Sequence, residues 1–202
     1  MHLDLIVGLP GEGLESFGKG LDTLASWTHS EIQIGILKKL AGTTLDRHDV
    51  EYGMVYSDKP PYDILKNKNL SFVDIQNMKR FARFWNLFYN SGNFQKSIDS
   101  LWPKGDVFDQ FFAFSMWIYG QTQSTWKISL ERLAELLFNY RVNEQGADDK
   151  EVAAILLEDL LKLEGRKIPP FLKPYAYENG TKDSVKKVAA QGHNKRQQRH
   201  QD

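Results

Sequence analysis

The sequence predicts a strand–helix–strand α/β segment followed by a mainly α-helical domain. Three observations carry this. The first 45 residues hold two short apolar runs separated by a glycine-rich turn and a helical spacing. From Ser71 onward a 3.6-residue spacing takes over. Between them Ala41 to Lys68 carries Gly42, Gly53, Pro60 and Pro61 with no sustained period, the mark of a boundary.

Taken in order, His2 to Val7 reads as a strand closed by the turn-forming Gly8-Leu9-Pro10-Gly11-Glu12-Gly13. Leu14 to Trp27 follows as a helix, with Phe17, Leu21, Leu24 and Ala25 at helical spacing. Ile32 to Leu37 is β-branched and bounded by polar residues, a second strand. Such a βαβ unit implies parallel strands with a right-handed crossover, and two strands alone cannot form a parallel sheet buried on both faces. The unit therefore needs strands from elsewhere.

In the second half, Phe72, Ile75, Met78, Phe81, Ala82, Trp85, Phe88 and Tyr89 fall on one helix face, and Ser71 with Asp74 resembles a capping pair. A shorter helix is expected from Phe94 to Trp102. Asp106 to Tyr119 is apolar nearly all round, which suits a central buried helix, so its aromatics read as core rather than as a cofactor box. Leu130, Leu133, Ala134, Leu137 and Tyr140 define another helix. The last runs from about Asp149 to Leu163, with Asp148 as N-cap and Gly165 as stop. The domains expected are thus 1–45 (the βαβ portion), 46–69 (a linker), 70–175 (helical) and 176–202 (a basic, disordered tail with Lys182, Lys186, Lys187, Lys195, Arg196 and Arg199).

Composition narrows the function. The chain balances 26 Lys+Arg against 26 Asp+Glu, so no global charge draws it to nucleic acid or anionic lipid. Its longest apolar runs fall well short of the roughly 18 residues of a membrane span, and no leader pattern precedes the first strand. A cytoplasmic protein is expected. The count of zero cysteines excludes disulfides, thiolate catalysis and Cys-ligated zinc or iron–sulfur clusters on this chain.

Few residues declare a chemistry. The Gly8 to Gly13 loop sits where a glycine-rich turn cradles phosphates. It lacks the Gly-Lys-Ser/Thr of a P-loop and the dinucleotide fingerprint, and Glu12 would repel a phosphate, so a tight βα turn is the better reading. Asp46, His48, Asp49 and Glu51 cluster in the boundary and offer divalent-metal ligands, but short Asp/His loops are usually solvated surface, and no metal is expected. No Ser/His/Asp set assembles.

The motifs carry a resemblance. Asp4-Leu5-Ile6-Val7-Gly8-Leu9-Pro10-Gly11-Glu12, then Gln33-Ile34-Gly35-Ile36-Leu37-Lys38 and Gly42-Thr43, resemble the late barrel of radical S-adenosylmethionine (radical SAM) enzymes. The order Leu37-Lys38, Gly42-Thr43, Tyr52-Gly53, Pro60-Pro61-Tyr62 and Tyr89-Asn90-Ser91-Gly92 is similar to the cobalamin-binding-domain branch, in which a helical domain of unknown function follows the barrel. The resemblance spans roughly residues 1–174. It implies that the two strands are the fifth and sixth of a six-stranded partial TIM-like barrel with ligands at the C-terminal strand ends. It also implies that Ile6, Val7 and Gly8 lie against the adenosyl group, and that Gln33, Gly35 and Leu37 flank the same pocket. An apolar Ile6 suits packing on an adenine face.

The departure is equally plain. The family's [4Fe-4S] cluster needs three cysteines in a CxxxCxxC loop, and the chain has none. The expectation is a C-terminal fragment of a radical SAM, cobalamin-linked enzyme, inactive alone and with no cofactor of its own. S-adenosylmethionine, the [4Fe-4S] cluster and cobalamin would belong to the complete parent. Its expected partner is a missing or separate N-terminal barrel portion, and the parent's substrate a small molecule or peptide, with no membrane or nucleic acid. Orphaned strands predict oligomerisation. The competing class is a stand-alone helical interaction module with a basic tail, in which the first 45 residues pack onto the helices.

Overall fold

The computed structural model describes residues 2–27, 30–163 and 165–178, so the expected basic tail lies outside the described residues from 179 onward. β1 (His2–Val7) and β2 (Glu31–Ile36) pair in parallel, in register from His2↔Glu31 to Val7↔Ile36, and α1 (Leu14–Trp27) connects them. Both strands and the helix stand where apolar patterning put them. The ladder continues one step beyond β2, where the Leu37 N–H donates to the Val7 carbonyl at 2.9 Å.

The expected linker at 46–69 is instead folded. A 3-10 turn at Thr44–His48 leads into α2 (Asp49–Tyr52), and β3 (Val55–Tyr56) pairs antiparallel with β4 (Ile64–Lys66). Met54, Ile64 and Leu70 are buried. These anchors stand six to ten positions apart, and strands of two and three residues are too short to display alternation, so periodicity could not reveal them.

Five further helices follow: α3 (Phe72–Trp85), α4 (Gln95–Asp99), α5 (Val107–Thr122), α6 (Leu130–Asn139) and α7 (Asp149–Leu161), with a short α8 (Lys173–Glu178) after them. The capping pair is present as a full capping box: the Asp74 N–H donates to Ser71 Oγ at 3.2 Å and the Ser71 N–H to Asp74 Oδ2 at 2.8 Å. Asp148 caps α7 through the Glu151 N–H at 2.9 Å. The helix expected over Phe94 to Trp102 is only α4, five residues long. α3 and α6 each end in a π-helical turn, at Asn86–Asn90 and Tyr140–Glu144.

The described residues divide into two compact units, 2–92 with 101–127 and 93–100 with 128–178. The division thus cuts through the stretch 70–175 that reads as one helical domain. In the first unit α5 packs against both α1 and α3, and α3 also meets β2 and β4. Its centre is aromatic: Phe81, Phe84, Trp85, Phe88, Phe111 and Phe114 are fully buried. Phe111 meets Phe81 and Trp85 edge-on at 5.1 and 5.0 Å between centroids, the geometry the ring quadrupole favours. α5 reaches this close to α1 because residue 18 is glycine; a Cβ there would stand 2.6 Å from Phe108 Cδ1. In the second unit α7 is central, touching α4, α6 and α8, over a core that includes Leu137, Ala153, Leu156 and Leu172.

Candidate functional site

The implied ligand residues divide by the pleat of the sheet. Residues facing one another in register lie on the same face, so Asp4 and Gln33, and Ile6 and Gly35, share one side. That side is open: Asp4 and Gln33 are exposed, Gly35 is half-buried, and Ile6 keeps 41% of its surface free. Leu3, Leu5 and Val7 with Ile32, Ile34 and Ile36 line the opposite, packed side. Of the six residues the resemblance singles out, Ile6, Gln33 and Gly35 therefore stand together on an accessible face. Val7 and Leu37 are buried at 1% and 7%, and their side chains serve packing. Gly8 is buried too, at φ +96°, under the Ile64 side chain.

The two edges of the sheet are treated differently. Beyond β2, the side-chain amide of Asn90 pairs with Ile32 much as a neighbouring strand would: the Ile32 N–H donates to Asn90 Oδ1 at 3.2 Å, and Asn90 Nδ2 donates to the Ile32 carbonyl at 3.0 Å. Trp85 Nε1 donates to the same carbonyl at 2.9 Å. The π-helical turn after α3 ends at Asn90, so the local change of helix pitch sets the register in which that amide arrives. Farther along, the Ile64 N–H donates to the Leu37 carbonyl (2.8 Å) and the Lys39 N–H to the Tyr62 carbonyl (3.0 Å). The outer edge is thus capped by side chains at Ile32 within β2 and by backbone bonds at Leu37 and Lys39 just beyond it. On β1, no strand other than β2 pairs among the described residues.

The glycine-rich loop after β1 spends its polar groups internally. The Glu12 N–H donates to the Leu9 carbonyl at 3.1 Å and the Gly13 N–H to Ser16 Oγ at 3.0 Å. Asn67 Nδ2 and Asn69 Nδ2 reach back to the carbonyls of Gly8 (3.5 Å) and Gly11 (2.8 Å). An anion cradle needs N–H groups held free and convergent, and two of these are already committed. Glu12 itself is half-buried, and burial raises its carboxyl pKa from 4.5, with Oε2 lacking a partner. The geometry is that of a tight βα turn.

At the C-terminal end of β2, Lys39, Leu40, Ala41, Gly42, Thr43, Asp46 and Tyr62 line a cleft of about 380 Å³. Lys39 Nζ is held at 2.6 Å by both Asp46 Oδ1 and Asp49 Oδ2 and lies 5.2 Å from the Tyr56 ring centroid. The hydrogen bonds it donates to Asp46 and then Asp49 hold the ammonium pKa well above its ordinary value. Burial, aided by the Asp49 charge, raises the Tyr56 phenol. Three of the four residues weighed as metal ligands are engaged otherwise: Asp46 and Asp49 converge on an ammonium, and His48 Nε2 accepts from Arg47 Nε at 2.9 Å, while Glu51 is exposed. Among the described residues no group of three or more His, Asp or Glu is arranged to hold a metal. Sequence reading missed this cleft because Lys39 and Asp49 stand ten positions apart, joined only by the turn.

No helix among the described residues is long and apolar enough to cross a membrane. No curated protein matches the chain. The family described as "Protein of unknown function (DUF4080)" matches residues 50–201, from within α2 through the hairpin that closes β2 and every later helix. With three quarters of its length inside that match, the chain belongs to the DUF4080 family.

Proposed function

We propose that the chain is the closing end of a radical SAM barrel, inactive alone, whose sheet face of Ile6, Gln33 and Gly35 contributes to an S-adenosylmethionine pocket completed by other strands. The observation that carries this is the asymmetry of the sheet. The outer edge of β2 is capped at Ile32 by Asn90 and Trp85 and runs on into backbone bonds with the hairpin at Leu37 and Lys39, while among the described residues β1 pairs with β2 alone, as the penultimate strand of a longer parallel sheet would beside a missing neighbour. Parallel sheets are stable when both faces are covered, and one face here is open. The resemblance puts a helical domain of unknown function after the barrel, and the family match falls on that part of the chain.

The chain's own residues fit one part of this role and not another. An exposed Ile6 beside the small Gly35 leaves an apolar surface for an adenine ring, with Gln33 and Asp4 on the same face to bond polar edges. With no cysteine, the chain supplies none of the thiolates that would hold a [4Fe-4S] cluster, whose chemistry is one-electron reduction of the sulfonium. No cobalamin ligand can be assigned.

The test adds a separately produced barrel portion carrying a CxxxCxxC loop, reconstituted anaerobically with iron and sulfide. The chain alone is expected to bind no cluster. The mixture is expected to bind S-adenosylmethionine more tightly than the barrel portion alone, and Ile6→Asp to remove that gain. Cluster binding by the chain alone, or a mixture indifferent to Ile6→Asp, overturns the reading.

One observation favours the stand-alone helical interaction module. The βαβ unit is already seated on helices, through Trp85 and Asn90 on Ile32 and through Phe108 on Gly18. A chain that is monomeric at all concentrations and ignores the barrel portion would support it.

A further inference from the structure

The first unit carries a second surface, distinct from the sheet face, on α3 and the end of α5. Arg80 and Arg83 stand three residues apart on α3, neighbours on its surface. Each guanidinium lies over an aromatic ring: Arg80 is 3.8 Å from the centroid of Tyr119, and Arg83 is 4.3 Å from that of Trp126. Their hydrogen bonds go to neutral acceptors, Arg80 Nη1 to Asn77 Oδ1 at 3.1 Å and Arg83 Nε to the Thr125 carbonyl at 3.3 Å. Neither meets a carboxylate among the described residues, whereas the nearby Lys79 is neutralised by Asp63 at 2.6 Å. Two charges are thus held in place over rings, with no carboxylate partner among the described residues.

Trp126 adds a different property. It is 67% exposed, yet a turn fixes its main chain, with the Trp126 backbone N–H donating to Ser124 Oγ at 3.1 Å and Ser124 Oγ donating back to the Trp126 carbonyl at 3.2 Å. A large indole presented to water costs hydration free energy and is more than a charge clamp needs. Arg83 lies over the ring, and two thirds of the residue's surface still meets solvent, more than the cation contact uses.

From these we infer that the Arg80–Arg83–Trp126 surface binds single-stranded nucleic acid, the guanidiniums taking backbone phosphates and Trp126 stacking a base. Guanidiniums preorganised on rings suit the bidentate recognition of phosphate oxygens. A stacking platform beside a short basic track is how sequence-tolerant single-strand binding is built. An acidic peptide would use the two charges but has no need of an exposed indole. Because the whole chain is electrically neutral, the attraction is local and short-ranged.

The test is fluorescence anisotropy of a labelled short oligouridylate with the full chain across a salt series, polyglutamate of equal charge serving as competitor. Binding is expected with quenching of tryptophan emission. The Arg80→Ala, Arg83→Ala double variant is expected to lose roughly tenfold or more in affinity and to flatten the log–log salt dependence by about 0.7 for each phosphate no longer neutralised. Trp126→Ala is expected to weaken binding roughly tenfold while leaving the salt slope unchanged. Arg80 and Arg83 are half-buried, so circular dichroism checks that the variants remain folded; Arg83→Lys, which keeps the charge but replaces the guanidinium fork over Trp126, is a second variant expected to bind less well. No binding at low salt overturns the inference, as does equal competition by polyglutamate. Binding that persists undiminished in the double variant also overturns it, assigning the interaction to other basic residues.

Discussion

Gly8 stands where β1 ends and the chain must turn. It combines φ +96° with a Cβ position 2.7 Å from Ile64 Cγ2, so a side chain there is opposed twice, by the backbone and by a stiff β-branched neighbour. Gly8→Ala is expected to cost about 2 kcal/mol or more, read as a shift of the urea midpoint. Glu12, four positions on, makes a pH-dependent contribution. Its folded-state pKa is raised by burial, so between 4.5 and that higher value the folded chain holds more proton than the unfolded one, and stability falls as pH rises through the window. Glu12→Gln is expected to raise the melting temperature at neutral pH and to leave it nearly unchanged below pH 4.5. A difference that grows toward acid would contradict the sign.

Elements meet through a few side chains that stand in for backbone. Asn90 closes the outer edge of β2 with two hydrogen bonds to Ile32; Asn90→Ala leaves the Ile32 N–H without this partner while Trp85 retains the carbonyl. A loss of about 1–3 kcal/mol is expected by chemical denaturation, with earlier hydrogen exchange at Ile32. In the second unit, the Asp159 carboxylate on α7 takes up the start of α4, accepting from the Lys96 N–H (3.2 Å), the Ser97 N–H (2.8 Å) and the Ser97 hydroxyl (2.7 Å). α4 is five residues long and too short to persist without tertiary support. Asp159→Ala is therefore expected to release α4, seen as rapid exchange of its amides, at a cost of about 2–4 kcal/mol. Neither dependence has a sequence signature, since the partners are 58 and 62 or more positions apart.

For the whole molecule the decisive feature is the sheet. An open strand edge beside an exposed apolar residue is a template for pairing with another chain. The full chain is expected to self-associate with rising concentration in size-exclusion chromatography with light scattering, and Ile6→Lys to shift it toward monomer by placing a charge on the open face. A chain that elutes as monomer throughout would mean that β1 offers no usable edge. The two compact units, and the aromatic centre shared by α3 and α5, also belong to this scale. They explain why the sequence boundary near residues 46–69 misleads: glycines and prolines mark where regular elements stop, not where packing stops, and Ile64 and Leu70 carry the packing across.

By itself the sequence determined the local grammar. β1, α1 and their turn, the Ser71–Asp74 box and the Asp148 cap follow from apolar period and side-chain chemistry acting within a few residues. The lack of cysteine settled which clusters this chain cannot hold. Only the tertiary structure decided which of the implied ligand residues stand on an open face, that Asn90 caps the sheet edge at Ile32, that Lys39 gathers Asp46 and Asp49, and that Arg80 and Arg83 lie over Tyr119 and Trp126. The reason is range. Hydrogen-bonded helices and strands are specified by neighbours along the chain, whereas edges, clefts and stacked surfaces arise from packing between residues distant in sequence, which no local pattern encodes.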